Sequence, residues 1–290
     1  MKTIGIIGGS GLYQLEEFEY VKSHKLSTPW GNPSDEIIEY SFCDNKVYFL
    51  PRHHKNHFIT PTRINSKANI DAFKQVGVTD VLSISAVGSL NEKIPPGTFV
   101  IIDQYIDHSD RKGETFFDDG IVVHVSMAYP TDKNLMDIAK YTLESLNIRF
   151  NYGGTYLGIS GPQFSTLAES NLYRSWKCDV IGMTNLPEVN LCREADLRYL
   201  SIGMVTDYDC WNDKYSKVEV KNVLDILDSN IKNSNIMLVH FLKKYFETKL
   251  KDDLNVYKSI VTPLNKIDKK TKYRLKNIVP KLYVASNKLE

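Results

Sequence analysis

The sequence predicts an α/β fold, a single domain with a central mixed sheet flanked by helices. Three observations carry that expectation. Short apolar runs alternate with amphipathic stretches along most of the chain, no linker rich in Pro, Gly or Ser divides it, and 290 residues suffice for one core without disulfide or metal staples.

Taken in order, Thr3 to Ile7 is an apolar run that ends in Gly8-Gly9-Ser10-Gly11, a strand followed by a turn. Glu36 to Phe42 and Val47 to Leu50 are the next strand candidates. Asn65 to Val76 places Ile70, Phe73 and Val76 on one face and stops at Gly77, as a helix with a glycine C-cap does. Val78 to Ala86 and Phe99 to Ile106 are strands continuous enough for burial on both faces, and Val122 to Val125 is a shorter candidate. Asp132 to Leu146 repeats Leu135, Ile138, Ala139, Thr142, Leu143 and Leu146 at helical spacing. Tyr156 to Ile159 is a strand, and Thr166-x-x-Glu169 is a capping box that opens a third helix. Val180 to Met183 and Leu200 to Val205 complete the strands, and Val218 to Phe246 is the fourth and longest helix.

Lys and Arg number 36 against 35 Asp and Glu, a net charge of +1 that argues against a protein whose main work is gripping nucleic acid. A small-molecule partner is expected. No run approaches the ~20 apolar residues that span a bilayer, and Lys2 with Ile4 to Ile7 is too short for a signal-peptide core. Cys43, Cys178, Cys192 and Cys210 are scattered without a Cys-x-x-Cys pair, which points to a reduced, cytoplasmic setting and away from zinc. Composition shifts only near the end. Residues 243–290 carry a surplus of +8, leaving −7 elsewhere, so residues 1–246 read as the domain and 247–290 as a basic C-terminal extension of unknown role. Its readings are a solvated surface segment or a basic patch for anionic partners.

Four strand ends carry chemistry. After the first strand, Gly8-Gly9-Ser10-Gly11 can turn backbone N–H groups toward an anion, yet Gln14 stands where a dinucleotide loop needs glycine. A tight turn is the alternative. Arg52, His53, His54, Lys55 and His57 crowd the segment after Leu50, where arginine's planar fork suits a phosphate. Pro51 and Pro61 bracket this segment as loop, and no acidic or cysteine ligand joins the histidines to hold a metal. The run Leu82 to Leu90 ends in small residues that let a ligand approach the backbone. Asp207 and Asp209 follow the last apolar strand, and on an extended segment both would point to one side; an exposed acidic turn is the alternative.

Together these segments resemble the trimeric purine nucleoside phosphorylase family, in its methylthioadenosine-cleaving branch. The resemblance runs from about Thr3 to about Phe246, and further motifs carry it: Pro96-Gly97, Gly161-Pro162-Gln163-Phe164-Ser165 with Ala168-Glu169-Ser170, and Met183-Thr184 with Pro187-Glu188. It implies a nucleoside phosphorylase fold, a homotrimer, and phosphate as co-substrate with no organic cofactor or metal. By that resemblance Ser10, Arg52, His53, Ser85, the Ala86 backbone and Thr184 bind phosphate. Met183 covers the ribose and Glu188 pairs with its hydroxyls. Phe164 and Ser165 wall the purine, and His57, Val220, Val223 and Leu224 form the 5′ pocket. Asp207 and Asp209 read N7 and the 6-amino group, with Asp207 the preferred donor to N7.

The expected reaction splits S-methyl-5′-thioadenosine with phosphate into adenine and 5-methylthioribose 1-phosphate, a step of purine and methionine salvage. A carboxylate accepts from a 6-amino group, whereas a 6-oxo group wants an amide donor, so adenine is favoured over hypoxanthine. Cleavage of 6-oxopurine nucleosides or methylthioinosine, and a nucleoside-binding protein without turnover, remain alternatives. Three positions depart from the family pattern. His54 stands where glycine is usual, Gln163 where Arg is common, and Ser10 where Thr is frequent.

Overall fold

Eleven strands join one mixed sheet in the computed structural model, which describes residues 2–9, 17–111, 113–212, 220–251 and 254–287. The strands are β1 (Ile4–Gly8), β2 (Glu19–His24), β3 (Ile37–Phe42), β4 (Asn45–Pro51), β5 (Asp80–Ser89), β6 (Phe99–Ile102), β7 (Gln104–His108), β8 (Phe150–Tyr152), β9 (Thr155–Ile159), β10 (Val180–Gly182) and β11 (Arg198–Asp207). Between and after them run α1 (Ser66–Gln75), α2 (Lys133–Ser145), α3 (Leu167–Ser175), α4 (Asn185–Glu194), α5 (Val220–Glu247), α6 (Lys269–Arg274) and α7 (Pro280–Asn287).

The helix starts follow from their caps. Asn65 accepts from the Ala68 N–H, Asp132 from the Leu135 N–H, and Thr166 and Glu169 close the capping box reciprocally. One apolar cluster holds α1, α4 and the C-terminal segment against one face of the sheet, and a second holds α2 and α5 against the other. The result is a helix–sheet–helix sandwich.

β5 is the hub of the sheet. Along one edge it pairs in parallel with β11 from Asp80 to Gly88. Along the other it pairs with β1 only from Asp80 to Ser83, and β10 takes over, antiparallel, at Gly88 and Ser89. The sheet therefore forks between Ser83 and Gly88, and the strand edge from Ile84 to Val87 faces neither neighbour. A crevice where strands diverge is the usual place for a ligand in an α/β sheet.

Several sequence expectations are corrected. The run from Phe99 to Ile106 is two strands: β6 pairs with β11 and β8, while β7 pairs with β9. The break falls at Asp103, whose Oδ1 accepts from the Gly154 N–H. Val122 to Val125 forms no strand, only a single bridge between Val123 and Ile260. β2 escapes the hydrophobic pattern because it is an exposed edge, and β8 because it has three residues. α4 escapes it because Leu186, at φ −112° and ψ 131°, interrupts its first turn, which makes the Val220–Glu247 helix the fifth.

The basic segment is not simply solvated. Val256, Ile267, Leu275, Ile278, Val279 and Leu282 are buried in the same cluster as α1 and α4. Their lysines point outward while one apolar stripe faces the core, so net charge alone misreads the segment. Beneath the sheet, Arg198 pairs with Asp80 (Nη2 to Oδ2, 3.0 Å), which also accepts from the Tyr245 hydroxyl at 2.6 Å. This ties α5 to the start of β5 and β11.

Candidate active site

The fork opens into a cavity of about 370 Å³. Along β5 it is walled by Ile84, Ser85, Ala86, Val87 and Gly88, and around them by Gly9, Arg52, His53, His57, Phe164, Ser165, Met183, Thr184, Thr206, Asp207 and Asp209. Six strand ends, β1, β4, β5, β9, β10 and β11, deliver these residues to one place.

Asp207 and Asp209 stand at one end. β11 stops at Asp207, and Asp209 turns left-handed at φ 51°, so the pair shares the cavity through a turn rather than along an extended strand. Asp207 is held from both sides: Oδ1 accepts from the Asp209 N–H at 2.8 Å and Oδ2 from the Thr206 hydroxyl at 2.7 Å. Asp209 Oδ2 is buried with no hydrogen-bond partner among the described residues. Burial pushes both carboxyls above the ordinary aspartate range; Thr206 and the Asp209 N–H oppose it for Asp207, while Ser170, the Cys210 N–H and Ser165 oppose it for Asp209. The Ser165 and Ser170 hydroxyls lie near Asp209 without completing a hydrogen bond, and both are themselves buried without partners among the described residues. Gly88 makes room for the pair, since a Cβ there would come to 3.0 Å from Asp207 Oδ1.

The other end holds Arg52 and a pair of histidines. Arg52 is 1% exposed, with Nε on Glu188 Oε2 at 3.2 Å, Nη1 on the Ile84 carbonyl at 3.3 Å and Nη2 on Ser83 Oγ at 2.6 Å. His53 stacks on His57 at 4.6 Å, and its Nδ1 lies 2.8 Å from the Ile59 carbonyl. Burial lowers the His53 pKa to about 4, with Arg52 and His57 adding to the effect, so the ring is neutral at pH 7. A neutral ring that donates from Nδ1 to a carbonyl presents Nε2 as an acceptor. From Arg52's contact at Ile84 to Asp207's at Gly88 is four residues of strand, roughly 13 Å.

The opening between strand ends thus has Arg52 and two histidines at one side and two carboxyls of raised pKa at the other. Residues 3–243 match the family model described as the phosphorylase superfamily. The chain belongs to the phosphorylase superfamily. It is 47% identical to the S-methyl-5′-thioadenosine phosphorylase of Rhodospirillum rubrum, over 86% of this chain and 83% of that protein. Against the S-methyl-5′-thioadenosine phosphorylase of Thermosynechococcus vestitus it is 42% identical over 96% and 98%, so the likeness extends past Phe246 into the C-terminal segment. The crystal structure of a methylthioadenosine phosphorylase from an antarctic soil metagenomic library superposes with a TM-score of 0.91 at 39% identity, covering 96% of this chain and 98% of that one. The methylthioadenosine phosphorylase of Schistosoma mansoni in complex with adenine superposes at 0.82 with 29% identity, covering 97% and 98%.

Most of the site residues expected for a phosphorylase line this one cavity: Arg52, His53, His57, Ser85, Ala86, Phe164, Ser165, Met183, Thr184, Asp207 and Asp209. Glu188 does not reach it. It is buried behind Arg52, with Oε1 accepting from the Tyr199 hydroxyl at 2.8 Å. Ser10 and the side chains of Val220, Val223 and Leu224 lie outside the described residues. Leu227 and Ile231 of α5 line the cavity instead, one helical turn apart, and the apolar stripe of that helix is the signal that marks them. Gln163 is exposed and stands off the cavity.

His54 keeps the backbone that glycine would favour, at φ 68°. Its N–H reaches the Pro51 carbonyl at 3.1 Å, and its carbonyl accepts from the His57 N–H at 2.9 Å. The imidazole turns away from the cavity, stacked on Phe58 at 5.0 Å with Nε2 3.7 Å from Asp35. The phosphorylase loop is therefore compatible with a side chain here.

Proposed function

We propose that this phosphorylase cleaves S-methyl-5′-thioadenosine with inorganic phosphate into adenine and 5-methylthioribose 1-phosphate. One observation carries the reading: a cavity joins the cluster of Arg52, His53, Ser85 and Thr184 to two buried carboxyls, along the open edge of β5. A phosphate oxygen attacks C1′ of the ribosyl group as the C1′–N9 bond breaks, and the bonding pair leaves with the purine. Asp207, whose carboxyl burial makes a better proton holder than an ordinary aspartate, gives a proton to N7 so that adenine departs neutral. Asp209 accepts from the 6-amino group. Arg52, Ser85 and Thr184 hold the nucleophile and Arg52 offsets its charge, while neutral His53 accepts the remaining O–H of hydrogen phosphate at Nε2.

Phe164 and Ser165 flank the base, Met183 covers the ribose, and His57 with Leu227 and Ile231 receives the 5′ methylthio group. Glu188 acts through Arg52, whose fork it orients, rather than on the ribose. Ser10 belongs with the phosphate donors by its place after β1. The reading assigns no metal or organic cofactor, and a homotrimer in which a neighbour helps close the 5′ pocket. Four free thiols support a reducing, cytoplasmic setting, and no helix among the described residues is long and apolar enough to cross a membrane.

The deciding experiment follows adenine release from methylthioadenosine with and without phosphate. Release that requires phosphate and yields a sugar 1-phosphate supports the reading. Release without phosphate makes the protein a hydrolase, and nucleoside binding without release makes it a binding protein.

A further inference from the structure

Asn185 is fully buried at the start of α4, directly after Thr184, and it does not line the cavity. Its side-chain oxygen nevertheless takes the protons of two hydroxyls that do. Ser85 Oγ donates to Asn185 Oδ1 at 3.1 Å, and Thr184 Oγ1 donates to the same atom at 3.4 Å. On its far side Nδ2 is hydrogen-bonded to Ser201 Oγ, and its own N–H, with that of Thr184, points at the Tyr156 hydroxyl. In this arrangement Ser85 and Thr184 turn only lone pairs toward the cavity.

Lone pairs repel a phosphate dianion, which accepts at nearly every oxygen. Both hydroxyls have to donate outward when the anion enters, and Asn185 Oδ1 would then be stranded without partners in a dry interior. An amide has a remedy that a carboxylate or an aliphatic side chain lacks. Turned through half a rotation about its terminal bond, it presents Nδ2 to Ser85 and Thr184 and Oδ1 to Ser201. The hydroxyls then accept from the amide and donate to the phosphate, and Ser201 donates its proton to Oδ1. No polar atom of the group loses its partner in either orientation.

We propose that Asn185 is the positioning residue of the phosphate site, its amide orientation setting whether Ser85 and Thr184 donate into the cavity. This rests on the phosphorylase reading above. It adds a residue that touches neither substrate and acts only through the two hydroxyls.

The test is a cycle of variants assayed for phosphate KM, nucleoside KM and kcat, with thermal unfolding to confirm folding. Asn185→Leu, similar in size but without hydrogen bonds, should raise phosphate KM about tenfold, the loss expected for one or two neutral hydrogen bonds, and leave nucleoside KM within about twofold. Asn185→Ser, which keeps one group able to donate or accept, should fall between Leu and wild type and serves if the Leu variant does not fold. In a Ser85→Ala/Thr184→Val background the Asn185 substitutions should add less than about twofold, because the hydroxyls they act through are gone. An unchanged phosphate KM in folded Asn185 variants overturns the inference. So does an equal penalty in both backgrounds, which would mark a structural role. If Ser85→Ala/Thr184→Val alone leaves phosphate KM at the wild-type value, the phosphate-site assignment itself fails, an outcome visible before any Asn185 variant is made.

Discussion

The backbone N–H of Asp209 holds Asp207 Oδ1 at 2.8 Å, while Asp209's own Oδ2 is buried without a partner among the described residues. The pair is thus asymmetric. Asp207 is fixed by two internal donors, and Asp209 keeps an acceptor oxygen that, on the proposed reading, meets the purine edge.

Base choice follows from that asymmetry. Wild type should prefer methylthioadenosine to methylthioinosine, and adenosine to inosine, by about two or more orders of magnitude in kcat/KM. Asp209→Asn should narrow or reverse the preference by supplying an N–H, whereas Asp207→Asn should depress turnover of both bases. Because burial raises both carboxyl pKa values, lowering the pH protonates the accepting carboxylate earlier than an ordinary aspartate and should narrow wild-type discrimination. Rates for all four nucleosides across pH check this; equal wild-type efficiency at neutral pH on amino and oxo purines would refute the adenine assignment.

The same burial has a stability consequence. A carboxyl whose folded pKa is raised favours folding fully below its unfolded pKa, and that contribution is lost as pH rises through the folded value. Asp209→Asn should therefore stabilise the protein at pH 7–8 by about 1 kcal/mol, the low end for a buried polar group without a partner. The gain should shrink toward acid pH. Thermal melts of both proteins over pH read the sign directly.

Removing Arg52 does two things at once. Arg52→Ala should weaken phosphate binding, but it also strands the buried Glu188 carboxylate, whose loss of partner costs about 3–5 kcal/mol. Arg52→Ala/Glu188→Gln should recover most of the melting temperature without recovering phosphate KM. A double variant that melts like Arg52→Ala would show that the pair does not hold the site together.

His54 invites a backbone test. Because it already sits left-handed, His54→Gly should keep phosphate KM within about twofold and shift stability by about 0.5 kcal/mol or less, relief of strain offsetting the lost Phe58 stacking. His54→Val, branched at Cβ, should cost about 1–2 kcal/mol. Equal melting of the two variants would mean the loop does not require this conformation.

The C-terminal segment is expected to be structural. Leu275 is fully buried among residues of the α1 and α4 layer, so Leu275→Ala should destabilise by about 2–5 kcal/mol, and truncation after residue 247 should expose that layer and lower solubility. A truncated protein that melts at the wild-type temperature would return the segment to the surface.

Local chemistry written along the chain determined the order of the main strands, the capping box at Thr166, the glycine stop after Val76, and the residue types at the ends of β1, β4, β5 and β11. Periodicity and capping act over a few residues, which is why these were legible. The edge strand β2, the interrupted helix α4 and the docking of a lysine-rich tail carry no such local signature. Only the tertiary structure decided that β1 leaves β5 at Ser83 and β10 arrives at Gly88, since strand pairing depends on partners far apart in sequence. It alone put Glu188 behind Arg52, 136 residues away, and Asn185 against Ser85, 100 residues away. Which carboxyl is desolvated and which hydroxyl is already spoken for are properties of what surrounds a group, and those surroundings exist only once the sheet has forked.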